Sequence, residues 1–311
     1  MKQINAQQIS FGEIGGAGEI VYRVPRFAGY LEKTDHQDNL VIKPVIDLYG
    51  KPKLDYDYKL TGQDLLYSLC NLYLMMNDPE VSLNNGDAIC YWCKRNVQPY
   101  NLKALIEFMD NCDDWIWNYK LIQDDAAFYT KEFVRELCNF GQTMEYYMAL
   151  RDAFYGGNPQ KARELYYEGR MCDGYPFFEQ YRHIEDDAEY IQAIRDDYRE
   201  LAQTLIGLFP EFKVSLQFEK NSDKIGMYAD IDSVFDICWY TFSRLIADIA
   251  PPLDEDLDSF YSNGSYICCL NCGKYVKRKG PRQKYCSDPE CQAVRNRQKY
   301  RNFYKRNMQK K

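Results

Sequence analysis

Residues 268–311 read CCLNCGKYVKRKGPRQKYCSDPECQAVRNRQKYRNFYKRNMQKK and hold five of the twelve cysteines in a 311-residue chain. Cys269 and Cys272 form a C-x2-C pair followed by Gly273. That spacing lets a tight backbone knuckle present two sulfurs to one metal, and the glycine permits the turn. Cys286 and Cys291 form a second pair. Four thiolates at about 2.3 Å per bond close a tetrahedral structural zinc site and leave no position for a catalytic water. One structural zinc ion is therefore the predicted cofactor. Cys268 is the spare and reads as a strand residue.

The segment between the pairs reads as a hairpin or loop around Lys279-Gly280-Pro281. Ser287-Asp288-Pro289-Glu290 has the form of a capping box, with proline tolerated in a first helical turn. A knuckle, a hairpin, and a helix whose first turn donates the last ligand make a treble-clef arrangement. Without metal, about 45 mostly polar residues bury too little surface to fold.

The charge of this stretch differs from that of the rest. The whole chain carries 39 Lys/Arg and 46 Asp/Glu, a formal net charge of −7. Residues 265–311 contain 14 Lys/Arg against only Asp288 and Glu290, a net +12, which leaves −19 on residues 1–264. An acidic body with a basic arm points to a polyanionic partner for the arm. The helix expected from about Asp288 to Met308 puts Ala293, Tyr300, Tyr304 and Met308 on one stripe at 100° per residue. Arg295, Lys299 and Arg306 fall on nearly the opposite side, flanked by Arg301 and Lys305. The expectation is an aromatic face packed inward and a basic face turned to phosphates or a groove. Lys277, Arg278, Lys279, Arg282, Lys284 and Arg297 extend the candidate nucleic-acid-binding surface.

Over residues 266–306 the chain resembles the CGNR-type zinc finger of bacterial proteins regarded as transcription regulators. The resemblance rests on Cys269-x2-Cys272-Gly273, Tyr285-Cys286-Ser287, Cys291 and the basic helix with Tyr300. It implies a bacterial or phage DNA-binding regulator. Where that family has Gly-Asn-Arg directly after the last cysteine, this chain has Gln292-Ala293-Val294, and its arginines follow at Arg295 and Arg297. The resemblance carries over the metal scaffold and not the details of nucleic-acid contact.

Ahead of the finger, the expected fold class is mainly α with a minor β component. Residues 1–60 show only short β-prone runs, EIVYRV (19–24) and LVIKPVIDLY (40–49). Gly12, Gly15, Gly16 and Gly18 lack the Gly-Lys-Ser/Thr of a phosphate loop. Residues 61–250 read as a mainly helical body. Leu65, Leu66, Leu69, Leu72, Tyr73 and Met76 recur at helical spacing, helices are expected within 101–120, 124–139 and 142–155, and the best stripe runs from Asp186 to Leu208. Phe212, Val214, Leu216 and Phe218 alternate with polar residues as a strand, with a partner strand after NSDKIG (221–226). IDSVFDICWYTFSRLIADIA (231–250) is apolar on nearly every side and implies a buried helix. The acidic stretch 251–265 reads as a linker.

The remaining cysteines, Cys70, Cys90, Cys93, Cys112, Cys138, Cys172 and Cys238, read as free core residues. No stretch approaches the ~20 apolar residues of a membrane span, and the N-terminus lacks a secretion signal, so a cytoplasmic protein with no membrane partner is expected. No enzyme signature emerges: the two histidines, His36 and His183, have no nucleophile pattern, and Cys90-x2-Cys93 lacks a completing pair. Duplex DNA is favoured over RNA as partner. The alternatives are an RNA-binding factor in translation or phage defence, and a module whose basic finger docks on an acidic protein surface, the chain's own body included.

Overall fold

The computed structural model describes residues 3–5, 9–10, 21–45, 54–55, 59–78, 84–111, 123–154, 156–165, 177–212, 214–218, 225–229, 231–248, 266–269, 271, 275–277, 279–280 and 283–308. They form a mainly helical protein with minor strand, as expected, divided into two compact units, Met1–Ala250 and Pro251–Lys311. The glycines at 12–18 lie outside the described residues.

The strands of the first unit are short. They are β1 (Gln3–Asn5), β2 (Ile9–Ser10), β3 (Val21–Arg23), β4 (Arg26–Phe27), β5 (Tyr30–Thr34), β6 (Leu40–Pro44), β7 (Leu54–Asp55), β8 (Lys59–Thr61), β9 (Phe128–Tyr129), β10 (Val214–Phe218) and β11 (Ile225–Ala229). The expected hairpin forms: β10 and β11 pair antiparallel, Val214 opposite Ala229 and Phe218 opposite Ile225. Two pairings join distant chain. Ile9 of β2 lies opposite Ala229, and Ile42 of β6 lies opposite Phe128 of β9. Buried Gln98 ties the second of these sheets to the connecting loops. It accepts from the Tyr30 hydroxyl at 3.0 Å and donates to the carbonyl of Ala126 at 2.9 Å. A buried amide satisfied in this way avoids the desolvation cost of an orphan group.

The helices of the first unit are α1 (Gly62–Met76), α2 (Asn85–Arg95), α3 (Leu102–Asn111), α4 (Thr130–Phe154), α5 (Gln160–Glu164), α6 (Asp187–Asp196), α7 (Tyr198–Gly207) and α8 (Val234–Asp248). Thr61 and Asp64 start α1 with a reciprocal cap, each side chain accepting from the other's backbone N–H. Leu65, Leu66, Leu69, Leu72 and Tyr73 of the predicted stripe are buried, and α1 packs on α8. That central helix is buried at Val234, Phe235, Ile237, Cys238, Trp239, Tyr240 and Phe242, which explains its apolar character all round. Phe235, Phe133, Phe128 and Tyr100 form a mutual ring cluster with centroids 5.2–6.3 Å apart. A second core gathers Tyr146, Leu150, Tyr190, Ile194, Leu201 and Leu205 from α4, α6 and α7.

Three expectations are corrected here. A Gly-Gln break was expected between helices at 124–139 and 142–155, yet α4 runs unbroken through Gly141 and Gln142. A Cβ at Gly141 would lie 2.3 Å from the Tyr73 ring, so the glycine is a close helix-to-helix contact rather than a breaker. The single helix expected over Asp186–Leu208 is two, parted at Asp197, whose carboxylate accepts from the Tyr181 hydroxyl at 2.9 Å. Among the scattered cysteines, Cys70 is buried and Cys90, Cys93 and Cys238 are free thiols, but Cys138 is disulfide-bonded. Cys112 and Cys172 lie outside them as well.

No helix among the described residues is long and apolar enough to cross a membrane.

Candidate metal centre and basic surface

The second unit begins, in its described part, with β12 (Tyr266–Cys268) and β13 (Tyr275–Lys277), paired antiparallel with Cys268 opposite Tyr275. This hairpin brackets the first cysteine pair; of the hairpin or loop expected around Lys279-Gly280-Pro281, Lys279 and Gly280 form a bend and Pro281 lies outside the described residues. Cys268 sits in the strand, as the spare cysteine should, and Cys269 is the first residue past it.

The helix α9 (Pro289–Met308) starts one residue later than a Ser287 cap would place it. Asp288 is the cap: its carboxylate accepts from the Glu290 N–H at 2.9 Å and its carbonyl from the Gln292 N–H at 2.9 Å. Pro289 takes the first helical position, where its missing N–H costs nothing. Cys291 thereby falls in the first turn, its side chain aimed back at the knuckle.

Cys269, Cys286 and Cys291 converge, with their Sγ atoms all within 4.8 Å of one another. All three are nearly fully buried, at 2 %, 5 % and 2 % exposure. The edges of a tetrahedron of thiolates about a zinc ion measure about 3.8 Å for bonds of about 2.3 Å. The trio fits three corners of such a site and can hold a metal ion. Cys272, the expected fourth ligand, lies outside the described residues.

The trio accepts hydrogen bonds from two directions. The Cys286 backbone N–H donates to Cys269 Sγ at 3.2 Å, and the Asn271 amide donates to Cys291 Sγ at 3.4 Å. Donors aimed at sulfur hold each side chain in a fixed direction. Gln292 donates its amide N–H to the Cys286 carbonyl and accepts from the Arg295 guanidinium at 2.8 Å, linking the basic helix to the second knuckle. Gln283 accepts from the Lys279 N–H at 2.7 Å and donates to the Tyr285 carbonyl at 3.0 Å, holding the loop between the pairs. Sequence reading missed Asn271, Gln283 and Gln292; amides interleaved with the cysteines were the available signal.

Of the predicted basic surface, Lys279, Lys284, Arg295, Arg297 and Lys299 are exposed. Lys277 closes β13, and Arg301, Lys305 and Arg306 lie on α9, with side chains outside the described ones; Arg278 and Arg282 lie outside altogether. The inward face is corrected at Ala293 and Tyr300, while the side chains of Tyr304 and Met308 lie outside the described ones. Ala293 is exposed and Tyr300 is 66 % exposed. Nine residues at 100° put Tyr300 half a turn away from Cys291, so the side that meets the cysteines cannot also carry Tyr300. Tyr285 packs with Val276 against the cysteines.

In the first unit, Cys90 and Cys93 lie on α2 and join no metal-holding group among the described residues. Burial, reinforced by the Glu32 and Asp87 carboxylates, pushes the Cys90 thiol up to about 11, and burial also raises Cys93 well above the usual thiol range. Thiols held protonated in this way are inert packing groups. His36 and His183 are both exposed.

No protein-family model matches the chain, and comparison with curated proteins and with solved structures found no match.

Proposed function

We propose that the second unit is a zinc-held module that binds nucleic acid, and that the chain is a DNA-binding regulator of the kind its CGNR-like residues suggest. The observation that carries this reading is the buried convergence of Cys269, Cys286 and Cys291 inside a stretch with a net charge of +12. Soft thiolate donors at tetrahedral spacing select zinc among the common divalent ions. Cys272 supplies the fourth ligand. The metal has no chemical role: it fixes the knuckle, the loop and the start of α9 so that Lys279, Lys284, Arg295, Arg297 and Lys299 form one fixed array of charge. The acidic first unit, at −15 over residues 1–250, dimerises or senses a signal.

Phosphate contacts of this kind release counterions, so affinity falls linearly with salt on logarithmic axes. A salt series of the zinc-loaded chain against DNA duplex and structured RNA tests the reading. Steep loss with salt supports it. Absent or salt-insensitive binding to both ligands overturns it and favours a protein partner for the basic surface.

A further inference from the structure

The geometry points to Tyr300 as a base-stacking residue, which makes the preferred ligand a nucleic-acid strand with unpaired bases; this rests on the nucleic-acid reading of the same unit. The ring is 66 % exposed in the middle of a helix, with Arg297 and Lys299 exposed beside it. Helix periodicity places it half a turn from Cys291 and about 13 Å further along the axis. It therefore stands off the small cysteine-centred core of Val276 and Tyr285 and is not used to fill it. Asn296 and Arg297, the residues one turn earlier on that side, are exposed too. A ring presented beside a guanidinium and an amide offers a base a π-face, its flanking phosphate a cation, and its edge a hydrogen-bonding group.

A paired base inside a duplex hides both faces in the stack, so a projecting ring gains nothing there without unstacking a step, which costs a few kcal/mol. An unpaired base gives its face freely. Charge alone does not separate these ligands, since both are polyanions. Tyr300 does.

The test is a set of binding titrations on the full zinc-loaded chain, using a short unpaired RNA, the unpaired DNA of the same sequence and the corresponding DNA duplex. The proteins compared are wild type, Tyr300→Ala and Tyr300→Phe. Alanine keeps the helix intact, being the strongest helix former. The expected result is about a tenfold loss of unpaired-strand affinity in Tyr300→Ala, retention in Tyr300→Phe, and little change on duplex. Loss on RNA and DNA strands alike assigns stacking itself, while loss on RNA alone narrows the ligand to RNA. If Tyr300→Ala binds every ligand as well as wild type, the stacking role is overturned and phosphate binding stands. Equal loss on duplex and strand also overturns it. No binding by wild type overturns both readings together.

Discussion

The amide of Asn271 donates to the sulfur of Cys291 at 3.4 Å, across twenty residues and from the knuckle to the first turn of the last helix. A hydrogen bond onto a ligating sulfur fixes its direction, and partners of this class are worth about 10–100-fold in metal affinity. Asn271→Leu should release zinc to a competing chelator about tenfold more readily while the first unit's melting is unchanged. Unaltered zinc affinity would mean that the contact is incidental.

Gly141 is predicted to be the more sensitive of two helical glycines. Alanine there gains helix propensity of up to about 1 kcal/mol but drives a methyl into the Tyr73 ring, with overpacking of about 1–3 kcal/mol. Gly141→Ala should lower the melting temperature of the first unit. Gly207→Ala, where nothing lies within 4 Å, should leave it unchanged or raise it slightly. The reverse order would contradict the packing.

Cys90 and Cys93 should resist alkylation in the native chain near neutral pH. With Cys90 raised to about 11, only about one thiol in a thousand is ionised at pH 8. Peptide mapping after a brief iodoacetamide pulse should show both unlabelled until denaturant is added. Rapid native labelling of Cys90 would revive a redox role for the pair.

Glu136 should make the first unit less stable as pH rises. Burial, reinforced by the nearby Asp236 carboxylate, raises its carboxyl to about 6. The folded state then holds the proton more tightly than the unfolded state. This contribution is complete below about pH 4.5 and is lost as pH rises through about 6. Relative to Glu136→Gln, which keeps the shape without the charge, wild type should weaken between pH 5 and 7. Parallel pH profiles for the two proteins would refute this.

Much of the architecture was legible because local pattern and tertiary demand agree. The all-round apolar run at 231–250 could only be buried, and the alternation from Phe212 could only be a strand; both formed. The cysteine spacing announced the convergence of Cys269, Cys286 and Cys291. What was illegible depends on partners far along the chain. Gly141 reads as a breaker until Tyr73 is placed against it, and Ile9 gives no sign that it will pair with Ala229. The misplaced aromatic face is different, since it was decidable. The stripe through Tyr300 was phased on its own composition, whereas Cys291 fixes which side of α9 turns inward.

The most direct test of the account is the affinity of the full chain for nucleic acid before and after the metal is taken from the cysteine cluster. The account predicts one zinc per chain and tight binding at low salt. It also predicts loss of both in Cys291→Ser, with the first unit still folded. Nucleic-acid affinity that survives intact in Cys291→Ser would contradict it, because the basic residues would then be acting as an unstructured tail that needs no metal scaffold.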